Sequence, residues 1–217
     1  MVADDALQYP IYLPPLVVDA SRVAEAKGFG ADGGVSSCLP GVGAVLAALA
    51  ASRVGGRIAE IGTAFGVGSA WLLSGMDSSA TLVTVEVEEQ RATAAHDVLS
   101  TDDRVTVIAD RWQNCLPELA LFDLVFVDGG YVEHLAEDPG ITDMVIDLIC
   151  PGGHLVLDDL TAEAEWPDEW RGKADPKREL AFRHPLLIGA EFYVPDTGAV
   201  GGHRTGGLIM TRRPQSA

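Results

Sequence analysis

Three aspartates are the residues of this sequence with the clearest capacity for chemistry. Asp128, Asp158 and Asp159 each follow a run of apolar residues of the kind that forms a buried strand. Neighbouring strands of a sheet lie about 5 Å apart, so three carboxylates at adjacent strand ends would repel one another unless a cation lay between them. Carboxylate oxygens are ligands of hard divalent cations such as Mg²⁺ and Ca²⁺. The sequence therefore predicts a metal site at these residues.

A glycine-rich turn is the second feature. Gly62, Gly66 and Gly68 separate a short apolar run, which begins at Arg57, from a stretch with helical apolar spacing. Glycines let the backbone turn tightly and approach a ligand, and the helix that follows offers unpaired N–H groups. Such a turn is typical of nucleotide cofactor sites, although by itself it is also compatible with a structural role.

Glu86 is the third candidate. It ends an apolar run and lies near the position, about 20 residues after the first glycine of such a turn, where an acid hydrogen-bonds ribose hydroxyls. The alternative is a solvated acid at the start of a helix, because Glu88 and Glu89 follow. We interpret Glu86 as a cofactor-binding residue because it directly ends the strand.

The elements that must hold these residues follow from the alternation of apolar strands and amphipathic helices. After the strand before Gly62, we predict strands at 81–86, 105–108, 123–128, 155–159, 188–194 and 206–212. We predict helices at 21–29, 41–54, 67–75, 88–100, from about 110, at 138–149 and at 177–184. Residues 1–20 are too rich in proline for a long helix, and Pro151-Gly152-Gly153 is predicted to be a break.

This order predicts a single Rossmann-like, doubly wound, mostly parallel seven-stranded sheet with an antiparallel strand at its C-terminal edge. The turn-rich loop between the last two strands leaves no room for a right-handed crossover, which favours an antiparallel pair there. We expect one domain over 1–217, with an N-terminal extension and helices at 1–55 and a cofactor-binding core at 56–217.

The composition excludes several classes of partner. The formal net charge of −17 disfavours DNA, an RNA backbone or an anionic membrane surface. No apolar run approaches the roughly 20 residues of a membrane span, and the first residues do not form a secretion signal. The three cysteines have no metal-type spacing, so we expect reduced thiols and a cytoplasmic location.

The glycine turn with Glu60 before it resembles motif I of class I S-adenosylmethionine-dependent methyltransferases. The segments 123–128, 151–153 and 157–159 resemble the catechol O-methyltransferase-like branch of that class, with similarity by motif over roughly 40–160. In that branch an Asp after the fourth strand and an Asp-Asn pair after the fifth hold Mg²⁺. The resemblance implies an S-adenosylmethionine-dependent O-methyltransferase acting on a small hydroxyl-bearing molecule, for example an aromatic one, and it allows a homodimer.

The resemblance also assigns roles to residues. Glu60 would orient the glycine loop and the methionine part of the cofactor, and Asp110 with Arg111 would line the adenine, although Asp110 equally fits the N-cap of a helix carrying Leu116 and Leu119. The implied cofactor-binding set is Glu60, Gly62, Gly66, Gly68, Ser69, Glu86, Val87, Asp110, Arg111 and Asp128.

Two positions depart from the branch. Asp159 stands where the branch has Asn, and Tyr131 stands where it commonly has a Lys that acts as general base. We therefore predict Asp128 and Tyr131 as catalytic residues and leave the base among Tyr131, His134 and bulk water. Trp166 and Trp170 are predicted either to form a lid over an aromatic substrate or to anchor their loop on the core.

Other functions stay open at this point. A metal-independent methyltransferase acting on nitrogen, a carboxylate or RNA has the same cofactor motifs, and so does a non-catalytic S-adenosylmethionine-binding protein. A short-chain dehydrogenase shares the glycine spacing but needs a Tyr-x-x-x-Lys pair, and neither Tyr131 nor Tyr193 is followed by Lys at that distance. We exclude the dehydrogenase on that ground.

Overall fold

A seven-stranded sheet forms the centre of the molecule in the computed structural model, which describes residues 12–28, 38–128, 135, 137–194 and 205–214. The strands are β1 (Arg57–Ile61), β2 (Thr81–Glu86), β3 (Val105–Ala109), β4 (Phe122–Val127), β5 (Ile149–Thr161), β6 (Leu187–Tyr193) and β7 (Thr205–Arg212). The helices are α1 (Pro15–Ala26), α2 (Pro40–Ala51), α3 (Val67–Gly75), α4 (Glu89–Leu99), α5 (Trp112–Cys115), α6 (Pro139–Asp147) and α7 (Pro176–Arg183).

The strand order is β3-β2-β1-β4-β5-β7-β6. The first five of these strands pair in parallel, and β7 runs antiparallel between β5 and β6. This confirms the predicted doubly wound, mostly parallel sheet with an antiparallel element at the C-terminal edge. The direction of winding reverses between β1 and β4, so the carboxyl ends of these two strands mark the place where such folds bind ligands.

The central strands are buried on both faces, which explains their uninterrupted apolar sequence. In β4, Leu124 and Phe126 pack into one hydrophobic cluster with α2 and α3, whereas Val125 and Val127 pack into the opposite one with α5 and α6. No helix in the described part of the chain is long and apolar enough to cross a membrane.

Helix α1 begins at Pro15, six residues before the helix predicted at 21–29 and inside the segment 1–20, for which we predicted no long helix. The prediction was wrong because Pro at the first position of a helix loses no hydrogen bond, and its fixed φ suits that position. Val17, Ala20 and Ala24 then recur at the spacing of one helical face and are all buried.

Strand β5 begins at Ile149, six residues earlier than predicted. Pro151-Gly152-Gly153 was predicted to be a break, and it does interrupt the pairing with β4. Phe122 pairs with Ile149 and Leu124 with His154, so three extra residues of β5 leave the ladder between these pairs. Gly152, at φ 83°, makes this detour possible.

Candidate active site

The carboxyl ends of β1, β2 and β4 are tied together by backbone hydrogen bonds beyond the strands themselves. The amides of Gly62 and Thr63 donate to the carbonyl of Val85 at 3.0 and 3.3 Å, and the amide of Asp128 donates to the carbonyl of Ile61 at 3.0 Å. The glycine turn, Glu86 and Asp128 therefore meet at the point where the strand order reverses.

The three glycines of the turn are needed for different structural reasons. Gly62 and Gly66 have φ of 97° and 86°, in the left-handed region that favours glycine. Gly68 lies against Glu60, and a Cβ there would collide with the Oε1 atom of that side chain. Gly66 occupies the N-cap of α3 without a side chain to cap it, which leaves the first-turn N–H groups for an anion or a carboxylate.

Glu60 is fully buried and joins β1, β2 and α3. Its Oε2 atom accepts hydrogen bonds from the hydroxyl of Ser69 and, at 2.6 Å, from that of Thr84, and Thr84 also shares a hydrogen bond with Thr63. Its Oε1 atom has no partner among the described residues. Burial raises the pKa of Glu60 to about 8, with smaller contributions from the charges of Asp128 and Glu86, against the lowering effect of the two hydroxyls.

Glu86 is 3% exposed, which contradicts the alternative of a solvated acid. Its Oε2 atom accepts a hydrogen bond from the amide of Ala64 and its Oε1 atom one from the amide of Glu88, both at 2.9 Å. A carboxylate oxygen has two lone pairs, so each oxygen keeps capacity for a ligand hydroxyl. Val87, the next residue, is 40% exposed.

The helix predicted to start near Asp110 and to carry Leu116 and Leu119 is wrong in its extent. Helix α5 has only four residues, because Pro117 follows and a 3₁₀ turn replaces it at Leu116–Glu118. Arg111, not Asp110, is at its N-cap. The Oδ1 atom of Asp110 accepts hydrogen bonds from the amide of Arg111 at 2.6 Å and from the side-chain amide of Asn114 at 2.8 Å. Both Asp110 and Arg111 are exposed beside the end of β3.

The Asp158-Asp159 pair forms a β-bulge. Leu157 pairs with Leu208 and Leu160 with Gly206, so the two aspartates lie opposite the single residue Gly207. Asp159 has a left-handed φ of 58°, a conformation that Asp and Asn tolerate better than other side chains. The bulge leaves Asp158 only 5% exposed and Asp159 exposed.

The three predicted metal ligands are close enough to influence one another. Burial raises the pKa of Asp158 well above its usual range, and the charges of Asp128 and Asp159 add to that rise. The amide of Asp159 donates to the Oδ1 atom of Asp158 at 2.8 Å. Across the described ranges, however, no three His, Cys, Asp or Glu side chains are arranged to hold a metal ion. The metal prediction is therefore not confirmed.

Two residues at this site carried no recognisable signal in the sequence. Cys38, ahead of α2, is buried, and burial followed by the charges of Asp158, Asp128 and Glu60 raises the pKa of its thiol well above the usual value. Lys177, at the start of α7, donates from Nζ to the carbonyl of Asp159 at 3.0 Å. Both are distant in sequence from the strand ends, and no motif links them.

The predicted catalytic residue Tyr131 and the alternative base His134 lie outside the described residues. Asp128, the other predicted catalytic residue, is half-buried at the end of β4. The site thus combines a glycine turn, a buried acid below it, a fixed carboxylate at the end of β2 and an acidic end of β4 and β5.

Known proteins share both the sequence pattern and the fold. Residues 59–160 match a family described as a methyltransferase domain. A protein of Mycobacterium sp. (strain JLS), provisionally named as an O-methyltransferase, is 34% identical over 167 residues, which are 71% of this chain and 74% of that protein. A similarly named protein of Mycobacteroides abscessus is 34% identical over 62% of this chain, and the match spans 64% of its own length.

Two solved structures are similar over nearly the whole chain. The O-methyltransferase TomG from Streptomyces achromogenes, in complex with S-adenosylmethionine, has a TM-score of 0.71 and 22% identity, covering 94% of this chain and 92% of its own. The O-methyltransferase from Bacillus cereus, in complex with S-adenosylhomocysteine, has the same TM-score and coverage at 24% identity. Together with the geometry of the strand ends, the sequence matches show that the chain belongs to the class I S-adenosylmethionine-dependent methyltransferases, in their catechol O-methyltransferase-like branch.

Proposed function

We propose that the protein transfers the methyl group of S-adenosylmethionine to a hydroxyl group of a small molecule. The observation that carries this proposal is the fixed carboxylate of Glu86 beside the glycine turn, with the buried Glu60 network beneath the turn. The provisional O-methyltransferase names of the relatives support oxygen as the accepting atom.

Methyl transfer from a sulfonium is an in-line displacement, so the protein must hold donor and acceptor in line. In this proposal Glu86 accepts the ribose hydroxyls, because its two oxygens are oriented by backbone amides and retain lone pairs. The first turn of α3 receives the carboxylate of the methionine part. Asp110, whose Oδ1 atom is already occupied by two donors, offers its other oxygen to the adenine amine.

The acceptor lies beyond the ends of β4 and β5 in this proposal. Asp128 borders that space from β4, and the loop after Thr161 borders it from β5. Asp128 and Tyr131 remain the predicted catalytic residues, with the acceptor's proton passing to Tyr131, His134 or water. A panel of small aromatic diols is the natural first set of acceptors.

A more specific version of the proposal adds a divalent cation bound by Asp128, Asp158 and Asp159. The mutual influence of these carboxylates supports it, and the exposure of Asp159 beside a buried Asp158 opposes it. Bound there, the cation would make an acceptor hydroxyl more acidic. The steps proposed above need no metal, so the two questions are separable.

Calorimetric titration with S-adenosylhomocysteine, with and without Mg²⁺ and catechol, tests the proposal. Cofactor binding followed by methylation of a diol from S-adenosylmethionine would support it, and an absence of cofactor binding would contradict it. Catechol binding that needs Mg²⁺ and is lost in Asp158→Asn would support the metal. Turnover that is unchanged by removal of divalent cations would exclude it. Cofactor binding without turnover on hydroxyl, amine, carboxylate or RNA acceptors would favour a non-catalytic role.

A further inference from the structure

Arg178 is a buried cation that none of the proposed chemistry uses. It lies in α7 and is 8% exposed. Its Nε atom donates to Glu191 at 2.6 Å, its Nη1 atom to Asp175, and its Nη2 atom to the hydroxyl of Tyr193 at 3.1 Å and the carbonyl of Thr161 at 3.0 Å. An arginine with this many partners joins segments that are otherwise separate.

These partners belong to three parts of the molecule. Glu191 and Tyr193 lie on β6, Asp175 precedes α7, and Thr161 ends β5. The guanidinium also lies 5.2 Å from the centre of the Trp166 ring, a cation–π contact. Arg178 therefore fixes both ends of the connection 162–175, here called the tryptophan loop, and one ring within it.

The rings of the tryptophan loop differ in exposure. The indole N–H of Trp166 donates to the carbonyl of Thr161 at 3.2 Å, the same carbonyl that Arg178 binds. Trp170 packs edge-on against Trp166, with centroids 6.4 Å apart and planes at 79°, and is 48% exposed. Trp166 is thus the anchored ring, and Trp170 is the more exposed of the two.

The tryptophan loop starts at the acidic end of the site. Its first residue, 162, follows Asp159 by three positions, and Lys177, next to Arg178, donates to the carbonyl of Asp159. The first turn of α7 thus contacts both the aspartate bulge and the tryptophan loop. The proposed cofactor residues lie on β1, β2 and α3 or on the loops that follow the first four strands. The contacts of Arg178 described above lie elsewhere, on β5, on β6 and on the connection between these two strands.

We propose that Arg178 is a positioning residue for the methyl acceptor. It holds the tryptophan loop so that Trp170 contributes a flat apolar surface beside the end of β5, and it does so without affecting cofactor binding. This inference rests on the proposed function, since it names which part of the site selects an aromatic acceptor.

The test compares Arg178→Lys with Arg183→Lys. Lysine keeps the charge and can pair with Glu191, but it lacks the planar fork that binds Thr161, Asp175 and Trp166 at once. Arg183 is an exposed arginine on the same helix, 2.9 Å from Glu179, and it serves as the matched control. We expect Arg178→Lys to raise the KM for catechol about tenfold, with kcat changing less and S-adenosylhomocysteine affinity within about twofold, while Arg183→Lys changes none of them.

A second variant keeps the inference testable if Arg178→Lys fails to fold. Trp170→Ala removes an exposed ring, so stability is expected to change little, while the KM for catechol rises as in Arg178→Lys. An unchanged KM in Trp170→Ala would overturn the inference. A parallel loss of cofactor affinity in Arg178→Lys would overturn it too, because the loss of a residue with a general structural role would weaken binding at both sites.

Fluorescence separates this inference from the proposed function. Trp71 and Trp112 are both 3% exposed, so iodide quenching and catechol quenching report mainly on the tryptophan loop. If the wild type binds S-adenosylhomocysteine but methylates no hydroxyl, the proposed function fails. The inference is then judged by the quenching of tryptophan fluorescence by catechol. The apparent affinity for catechol in this measurement should fall about tenfold in Arg178→Lys. An unchanged affinity would overturn the inference.

Discussion

Replacing Glu60 with Gln should make the protein more stable at pH 8 while leaving it nearly unchanged at pH 5. The carboxyl group is fully buried, and burial raises its pKa from an ordinary 4.5 to about 8. Between these pH values the folded protein keeps a proton that the unfolded chain has released. Unfolding therefore becomes easier as the pH rises, and a glutamine, which is always neutral, removes this effect.

The size of the effect follows from proton linkage. Where the folded state holds one more proton than the unfolded state, the free energy of unfolding falls by about 1.4 kcal/mol per pH unit. From pH 5 to pH 8 the contribution of Glu60 is on the order of 4 kcal/mol. For a chain of this length that corresponds to roughly 10 °C in the melting temperature. The loss of stability starts above the ordinary carboxyl pKa and is complete above the pKa of Glu60 in the folded state.

Several polar groups interact with Glu60. They are the carboxylates of Glu86 and Asp128 and the thiol of Cys38, beside the hydroxyls of Ser69 and Thr84. The informative quantity is therefore the difference between the wild type and Glu60→Gln. It removes contributions that both proteins share, including that of Asp158.

Thermal and urea unfolding from pH 5 to pH 9 measure that difference. The melting temperatures should coincide near pH 5 and diverge progressively up to pH 8. Glu118→Gln, at an exposed position, is the control and should follow the wild type throughout. Parallel curves for the wild type and Glu60→Gln would refute the reasoning, because they would mean that Glu60 is already charged in the folded state.

Three further predictions concern the turn, the bulge and the packing of helices. Glu86→Gln places an N–H₂ group against a backbone N–H, so the Kd for S-adenosylhomocysteine, measured by calorimetry, should rise about tenfold to a hundredfold, whereas exposed Glu88→Gln should leave it unchanged. Asp159→Ala should lower the free energy of unfolding by about 1 kcal/mol because position 159 has a left-handed φ, whereas Asp159→Gly should not lower it. Equal melting curves for the two variants would contradict the left-handed conformation in the bulge. Gly75→Ala drives a methyl group into the carbonyl of Ala47, so urea unfolding should show a loss of about 1–3 kcal/mol with cofactor affinity retained.

The strands and helices of the core were predictable because their burial leaves a local trace. Strand 81–86 and helix 67–75 were predicted with the bounds that the structure has. A strand buried on both faces needs an unbroken apolar run, and a helix needs its own spacing, so neither depends on distant residues. Prolines misled the prediction at Pro15, where proline starts a helix, and at Pro151, where the strand continues around a local detour.

The site was predictable only as far as strand ends define it. Acids that end parallel strands must lie at one edge of the sheet, and this rule placed Asp128 close enough to Asp158 for their charges to interact. The bulge depends on where β7 pairs with β5, and no local pattern encodes that register. Cys38 lies just before α2 and Lys177 lies in the first turn of α7, and the strand ends that these two residues approach are set by tertiary contacts and not by periodicity.

The position of β7 has a consequence for synthesis of the protein on the ribosome. Strand β6 is made first, yet within the described part of the chain it joins the sheet only through β7, which pairs with β5 on one side and β6 on the other. While the segment up to residue 204 is being translated, β5 lacks a neighbour on that side, and the growing chain presents an unpaired strand edge of the kind that promotes aggregation. Cellular yield of this methyltransferase should therefore depend on how quickly translation proceeds from β6 to β7 and on chaperones that cover β5 in the interval.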